Sequence, residues 1–130
     1  MLFRPAAILL CLALPATAQD ADCADAVTQY DMNSCAAEDL QVQDDNLNAA
    51  YAAAKSILKD IDADLPKAEQ GAIEALLAAQ RAWITFRDQA CTAEGFLYQG
   101  GSMQPMVISG CLARITAARA QDLWLLSEQY

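Results

Sequence analysis

Apolar residues recur at helical spacing along three stretches of the chain, and no stretch alternates in the manner of a β-strand. In the first stretch, successive apolar positions are seven, four, three, four and three residues apart: Leu40, Leu47, Tyr51, Ala54, Leu58 and Ile61. Steps of three and four residues place side chains on one face of an α-helix. The spacing therefore predicts a first helix over residues 36–61.

Two further helices are predicted by the same spacing. The second spans about residues 67–94, because Pro66 suits the first turn of a helix and Gly95 is placed to end one. Its apolar face carries Ile73, Leu76, Leu77, Trp83, Ile84 and Cys91. The third begins near Pro105 and runs nearly to the terminus. Its apolar face carries Ile108, Cys111, Leu112, Ile115, Leu123 and Leu126.

The link between the first two helices is short enough to make them antiparallel, and the third must then lie along both to cover their apolar faces. The sequence therefore predicts an all-α fold, a small antiparallel bundle of three helices. A short helix or turn between Cys23 and Gln29 is also compatible with the sequence.

The first residues have the pattern of a secretory signal. Arg4 is followed by an apolar stretch, residues 6–14, and by the small residues 16–18, Ala-Thr-Ala. This pattern predicts a signal peptide over residues 1–18 and a single helical domain over residues 19–130. The apolar stretch is too short to span a bilayer stably.

Neither early cysteine lies in a lipid-attachment sequence, since Leu10 precedes Cys11 and Asp22 precedes Cys23, where a small residue is needed. We therefore expect no membrane anchor. We expect the mature protein to be periplasmic or secreted, in a compartment where disulfides persist.

Four cysteines follow the predicted signal peptide, and an even number in a short exported chain predicts two bridges with three conceivable pairings. In the first helix, Cys35 points about 140–160° away from the apolar face. Cys91 and Cys111 both face inward from their helices. We therefore predict the bridges Cys23–Cys35 and Cys91–Cys111. The spacings match no zinc pattern, and we predict no metal site among the cysteines.

Charge and composition exclude several classes of function. Seventeen acidic and eight basic residues give a net charge of −9, which disfavours nucleic acid and anionic membranes and favours a basic partner. The absence of histidine excludes Ser-His and Cys-His nucleophile pairs. We therefore expect a binding protein without cofactors or catalytic residues, and not an enzyme.

Three aspartates, Asp60, Asp62 and Asp64, alternate before Pro66 and raise the question of a calcium loop. Such a loop needs glycine at its sixth position and glutamate at its twelfth, where this chain has Leu65 and Gly71. We therefore interpret these aspartates as a solvated turn that can cap a helix.

Five polar residues interrupt the apolar faces of the three helices: Asp44, Asn48, Gln80, Arg87 and Arg119. A charge on an inner face must be paired, because an isolated buried ion is costly. We predict that Asp44 pairs with Arg87 or Arg119 and that the two amides complete the hydrogen bonds. An acid–base site is the functional alternative, but arginine cannot act as a general base at ordinary pH. The cluster is therefore interpreted as structural.

The loop of residues 95–105 combines large apolar side chains with glycines. Loops often carry binding residues, and aromatic side chains often anchor interfaces. The candidate partner-binding residues are Phe96, Tyr98, Gly100, Gly101 and Ser102. In the alternative interpretation, Phe96 and Leu97 pack over the open end of the bundle.

Several runs of residues resemble the LprI-type lysozyme-inhibitor domain across nearly all of the predicted mature chain. They are Met32-Asn33-Ser34-Cys35, the D-x-x-L-N-x-x-Y motif from Asp44 to Tyr51, the Q-R-x-W-x-x-x-R-D-x-x-C motif from Gln80 to Cys91, Gly100-Gly101-Ser102, Cys111, and Thr116-Ala117-Ala118-Arg119. The resemblance implies a small, helical, exported, disulfide-bonded domain that inhibits lysozyme. An envelope interaction or scaffold domain with an unrelated partner is the alternative function.

Overall fold

The computed structural model describes residues 22–128 and contains three α-helices in that range. They are α1, Gln29–Asp64, α2, Ala72–Gly95, and α3, Gln104–Glu128, with a short 3-10 helix, Phe96–Tyr98, after α2. Within the described range there is no strand, so the predicted all-α fold is confirmed. None of these helices is long and apolar enough to cross a membrane. The predicted signal peptide, residues 1–18, lies outside the described residues.

The helices run up, down and up, so that α1 and α3 are parallel and α2 is antiparallel to both. At one end, Gln29 Nε2 lies 3.8 Å from Met106 Sδ, and further along, Trp124 Nε1 donates to Asn46 Oδ1 at 3.0 Å. Residue numbers therefore increase in the same direction along α1 and α3, which makes the two helices parallel. The third helix lies along the other two, as the apolar faces predict.

The core lies mainly between α1 and α3 and includes one buried leucine of α2. Its buried members are Leu47, Ala50, Ala54, Leu76, Ala120 and Leu123, with Tyr51, Leu58, Trp83 and Trp124 packed against them. Alanines at the centre let the helix backbones approach closely. Two residues predicted on inner faces, Ile84 and Leu126, are exposed instead. Ile84 lies about 80° around α2 from Leu76, at the edge of the covered face, and Leu126 lies in the last turn of α3.

The first helix begins seven residues earlier than its apolar pattern predicts, at Gln29 instead of Ala36. Thr28 caps it, because its hydroxyl oxygen accepts the Asp31 N–H at 3.1 Å and the hydroxyl donates to the Asp31 carboxylate at 2.6 Å. The Thr-x-x-Asp spacing resembles a capping box and could have located this start from the sequence. The early start places Cys35 within α1, while residues 23–28 form turns and extended backbone without a separate helix.

The predicted start of the second helix at residue 67 is wrong, because α2 begins at Ala72. The residues after Pro66 form a turn in which the Glu69 N–H donates to the Pro66 carbonyl at 2.7 Å. Proline is favoured in turns as well as in the first turn of a helix, so its position alone did not distinguish the two.

The start of α2 is fixed by a carboxylate from α1. Asp62 accepts the backbone N–H groups of Gly71, Ala72 and Ile73 at 2.9, 2.9 and 3.0 Å. These three bonds favour the ionised carboxylate and hold the pKa of Asp62 below its ordinary value of 3.8. Of the three aspartates in the predicted turn, Asp62 is therefore the one that caps a helix, and its hydrogen bonds join the end of α1 to the start of α2.

Gly95 ends α2, as predicted, but it does so with ordinary helical dihedral angles, φ −61° and ψ −27°. Its importance lies in packing. A Cβ atom at this position would lie 2.5 Å from Ile108 Cγ1 and 2.8 Å from its Cδ1, which is too close for unshifted atoms. Glycine here lets the end of α2 lie directly against α3.

We expect Gly95→Ala and Gly110→Ala to differ in free energy of unfolding although both glycines lie in helices. At Gly110 an added Cβ meets nothing within 4 Å, so alanine should stabilise its helix by up to about 1 kcal/mol. At Gly95 the clash with Ile108 should leave the variant about 1–3 kcal/mol less stable than Gly110→Ala. Urea denaturation measures both values, and equal stabilities would contradict this packing.

We also expect Asp62→Ala to unfold at lower urea concentration than Asp60→Ala at neutral pH, because only Asp62 caps α2. The cap requires the carboxylate, whose folded pKa is lowered, so its contribution is present above the unfolded pKa and is lost as pH falls through the folded one. The difference between wild type and Asp62→Ala should therefore shrink as the pH is lowered from 7 to below about 4. A difference that is unchanged across this range would contradict the assignment.

Candidate functional site

Both predicted disulfide bridges are confirmed. Cys23 is joined to Cys35 and Cys91 to Cys111, each with its Cα atoms 5.5 Å apart. The Cys91–Cys111 bridge is buried between α2 and α3 and closes the base of the loop that connects them. The Cys23–Cys35 bridge lies nearer the surface and fastens the residues before α1 onto that helix.

The Glu38 carboxylate oxygen lies 3.5 Å from Cys23 Sγ, so two sulfurs and one carboxylate are close together. Both sulfurs belong to the Cys23–Cys35 bridge. A sulfur in a disulfide has no thiolate charge, and the thiolate is the form that binds metal ions. The group is therefore interpreted as a disulfide with a neighbouring carboxylate and not as a metal site.

The guanidinium group of Arg87, on α2, contacts side chains from all three helices. Its Nη1 atom lies 3.3 Å from Asp44 Oδ1 on α1 and 3.2 Å from Thr116 Oγ1 on α3. Its Nε atom donates to Asp88 at 2.9 Å, and the group lies 5.0 Å from the centre of the Trp83 ring. The side chain is 17% exposed, so partners are needed for its charge.

The rest of the predicted polar cluster does not join Arg87. Arg119 Nε donates to Gln80 Oε1 at 3.2 Å, which makes a second, separate link between α3 and α2. Asn48 is exposed, and in the described part of the chain no hydrogen bond connects it to these groups. Thr116 takes the place predicted for an amide. It is fully buried, and its helical spacing from Leu112 and Ala120 could have revealed it.

Each arginine of the cluster is therefore engaged by side chains of neighbouring helices, and we propose that the cluster is structural. A group of exposed apolar residues that could engage a partner lies elsewhere, in the loop between α2 and α3.

The 96–103 loop, which follows α2, presents its large apolar side chains to solvent. Phe96 and Leu97 are 63% and 79% exposed, and Tyr98 and Met103 are exposed as well. The alternative in which Phe96 and Leu97 pack over the end of the bundle is therefore wrong. Next to the loop, the backbone at Gly95 packs so closely against Ile108 of α3 that no side chain fits between them.

The same loop borders a shallow, open depression of about 470 Å³. Its lining residues are Phe96, Leu97, Tyr98, Gln99, Gly101, Ser102 and Met103. Of the predicted binding residues, Gly100 is absent from this lining. It turns the chain, with a φ of +77° that favours glycine.

Hydrogen bonds hold the 96–103 loop in place from both sides. Gln104, at the start of α3, accepts the Gly100 N–H at 3.2 Å and donates to Gln99 Oε1 at 2.7 Å. From α1, Asn33 Nδ2 donates to the Ser102 carbonyl at 3.2 Å. The loop is therefore fixed to α1 and α3 while its apolar side chains remain exposed.

The segment of the chain that begins beside this loop, residues 22–54, carries acidic side chains and no basic ones. Residues 22–54 contain seven acidic side chains and no lysine or arginine: Asp22, Asp25, Asp31, Glu38, Asp39, Asp44 and Asp45. In the described residues, Asp44 is the member of this set that forms a salt bridge. The contact from Asn33 to Ser102 places the beginning of this acidic segment next to the loop.

A family model described as lysozyme inhibitor LprI matches residues 20–123. The chain belongs to the LprI lysozyme-inhibitor family. Its similarity to an uncharacterized protein of Rhizobium meliloti (strain 1021) is 44% identity over 126 residues, which cover 93% of this chain and 91% of that protein. The resemblance inferred from the D-x-x-L-N-x-x-Y and Q-R-x-W-x-x-x-R-D-x-x-C motifs is thus confirmed.

A solved structure is also similar to this LprI-family chain. The crystal structure of a DUF1311 family protein from Pseudomonas putida KT2440 matches with a TM-score of 0.69 and 28% identity. The match covers 79% of this chain and 97% of that one. The helical bundle described above is thus shared with a structure solved by crystallography.

We expect Asp44→Ala to lower the free energy of unfolding by about 1 kcal/mol. The effect should be modest because the Asp44 side chain is 39% exposed and Arg87 keeps its contacts with Asp88 and Thr116. Asp39→Ala is the matched control on the outer face of α1 and should change stability by less than about 0.5 kcal/mol. Equal urea midpoints for the two variants would show that the Asp44–Arg87 pair contributes nothing to the bundle.

Proposed function

We propose that this protein is an exported inhibitor that binds a basic lysozyme through the 96–103 loop. The observation that carries the proposal is membership of the LprI lysozyme-inhibitor family across residues 20–123. Charge and exposed apolar surface support a basic protein partner, but the family alone singles out lysozyme among basic proteins.

The geometry of the loop suits a binding role. Aromatic side chains such as tyrosine are among the residues that most often anchor protein interfaces. The buried Cys91–Cys111 bridge and the bonds from Gln104 and Asn33 restrict the loop before a partner arrives. A loop that is already ordered loses less conformational entropy on binding, which favours affinity.

The charge of the chain suits a cationic target. A net charge of −9 accelerates encounter with a basic enzyme, and this acceleration decreases as salt concentration rises. Such attraction is not specific by itself. We therefore assign specificity to the apolar side chains of the 96–103 loop and long-range attraction to the acidic residues.

The proposed location is the periplasm or the extracellular medium. Residues 1–18 have the pattern of a signal peptide, and two disulfides favour an oxidising compartment. A lysozyme inhibitor acts where lysozyme meets the cell envelope, so the proposed location and the proposed function agree. In this function the protein binds its target and catalyses no reaction.

We expect the oxidised protein to inhibit lysis of peptidoglycan by a basic lysozyme in proportion to its concentration, at about 0.15 M salt, where charges are screened beyond about 8 Å. Tyr98→Ala should weaken inhibition about tenfold or more, because it removes an aromatic anchor of the loop. Phe86→Ala is the matched control, since Phe86 is an exposed aromatic residue on α2 outside the loop. It should inhibit as the wild type does.

Two results would contradict the proposal. If a large excess of the folded, oxidised protein leaves lysozyme activity unchanged, an interaction or scaffold domain with another partner becomes the better interpretation. If Tyr98→Ala and Phe86→Ala inhibit equally well, the 96–103 loop is not the inhibitory site.

A further inference from the structure

Two large apolar side chains outside the loop are among the most exposed residues of the described chain. Val27 and Tyr30 are 85% and 79% exposed, and they flank the capping residue Thr28 at the amino-terminal end of α1. Neither side chain contributes to the core of the bundle.

The first turn of α1 lies directly against the 96–103 loop. Asn33 Nδ2 donates to the Ser102 carbonyl at 3.2 Å, and Gln29 Nε2 lies 3.8 Å from Met106 Sδ at the start of α3. Tyr30 precedes Asn33 by three residues, and residues three apart on a helix are neighbours on its surface. Tyr30 therefore stands beside the side chain that holds the loop.

We propose that the first turn of α1 and the 96–103 loop form one continuous binding surface for a cationic protein. The inference rests on the proposed function and adds a second anchor, Tyr30, to the same site. Its apolar members are Val27, Tyr30, Phe96, Leu97, Tyr98 and Met103.

Covalent bonds fix both parts of this surface. The Cys23–Cys35 bridge fastens the residues before α1 to the helix, and the Cys91–Cys111 bridge closes the base of the loop. The hydrogen bond from Asn33 to Ser102 then connects the two parts. The surface is thus assembled before binding, which reduces the entropy lost when a partner docks.

The negative charge around the surface favours a partner with positive charge. Residues 22–54, which include the first turn of α1, contain seven acidic side chains and no basic one. Anionic lipids and nucleic acids would be repelled by this field. A protein with basic side chains around an apolar recess matches both the charge and the exposed apolar residues, and a basic lysozyme is the member of that class that the proposed function requires.

The test is titration calorimetry of a basic lysozyme with the oxidised protein at about 0.15 M salt, accompanied by the lysis assay. Tyr30→Ala should weaken binding about tenfold or more, which is the effect also expected of Tyr98→Ala. Val42→Ala is the matched control, because Val42 is exposed on the same helix about 18 Å further along its axis. Thermal unfolding checks that each variant is folded.

The outcomes separate this inference from the proposed function. Wild-type affinity in Tyr30→Ala, together with weak binding by Tyr98→Ala, would overturn the extended surface and leave the inhibitor function intact. Loss of affinity in Tyr30→Ala without any slowing of lysis by the wild type would support the surface and overturn inhibition. Absence of binding by the wild-type protein would overturn both.

Discussion

The guanidinium group of Arg87 lies on the inner face of α2, and its charge must be neutralised by neighbours because water reaches it only in part. It meets a carboxylate of α1, Asp44, and a hydroxyl of α3, Thr116. Because Arg87 is partly exposed and also contacts Asp88, each of these contacts contributes about 1 kcal/mol. They connect the three helices at one level of the bundle and favour the observed register.

The position of the candidate binding loop depends on this alignment of the helices. One helical turn beyond Arg87, Cys91 forms its bridge to Cys111, and one further turn along, Gly95 packs against Ile108. The chain then leaves the bundle, and Phe96 and Leu97 extend into solvent. The exposed apolar surface therefore begins where α2 packs closely against α3, and it is available to a partner without any opening of the fold.

Apart from Asp31, Asp44 and Asp62, the acidic residues contribute little to the fold. Three salt bridges occur in the described residues, and much of the acidic charge on α1 faces solvent without a cation nearby. Like charges along one helix repel each other and slightly oppose folding, while apolar burial and two disulfides oppose unfolding. In the proposed function, this charge speeds the encounter with a basic enzyme.

From the sequence came the number of helices, most of their inner faces, the disulfide pairing and the pairing of Asp44 with one of two arginines, because helical spacing fixes the direction in which each side chain points. Tertiary structure decided what depends on a neighbouring element. Asp62, on α1, sets the start of α2, and Thr116 replaces Asn48 beside Arg87. Phe96 became exposed for the same reason, since local spacing describes the face of one helix and cannot tell whether another element covers it.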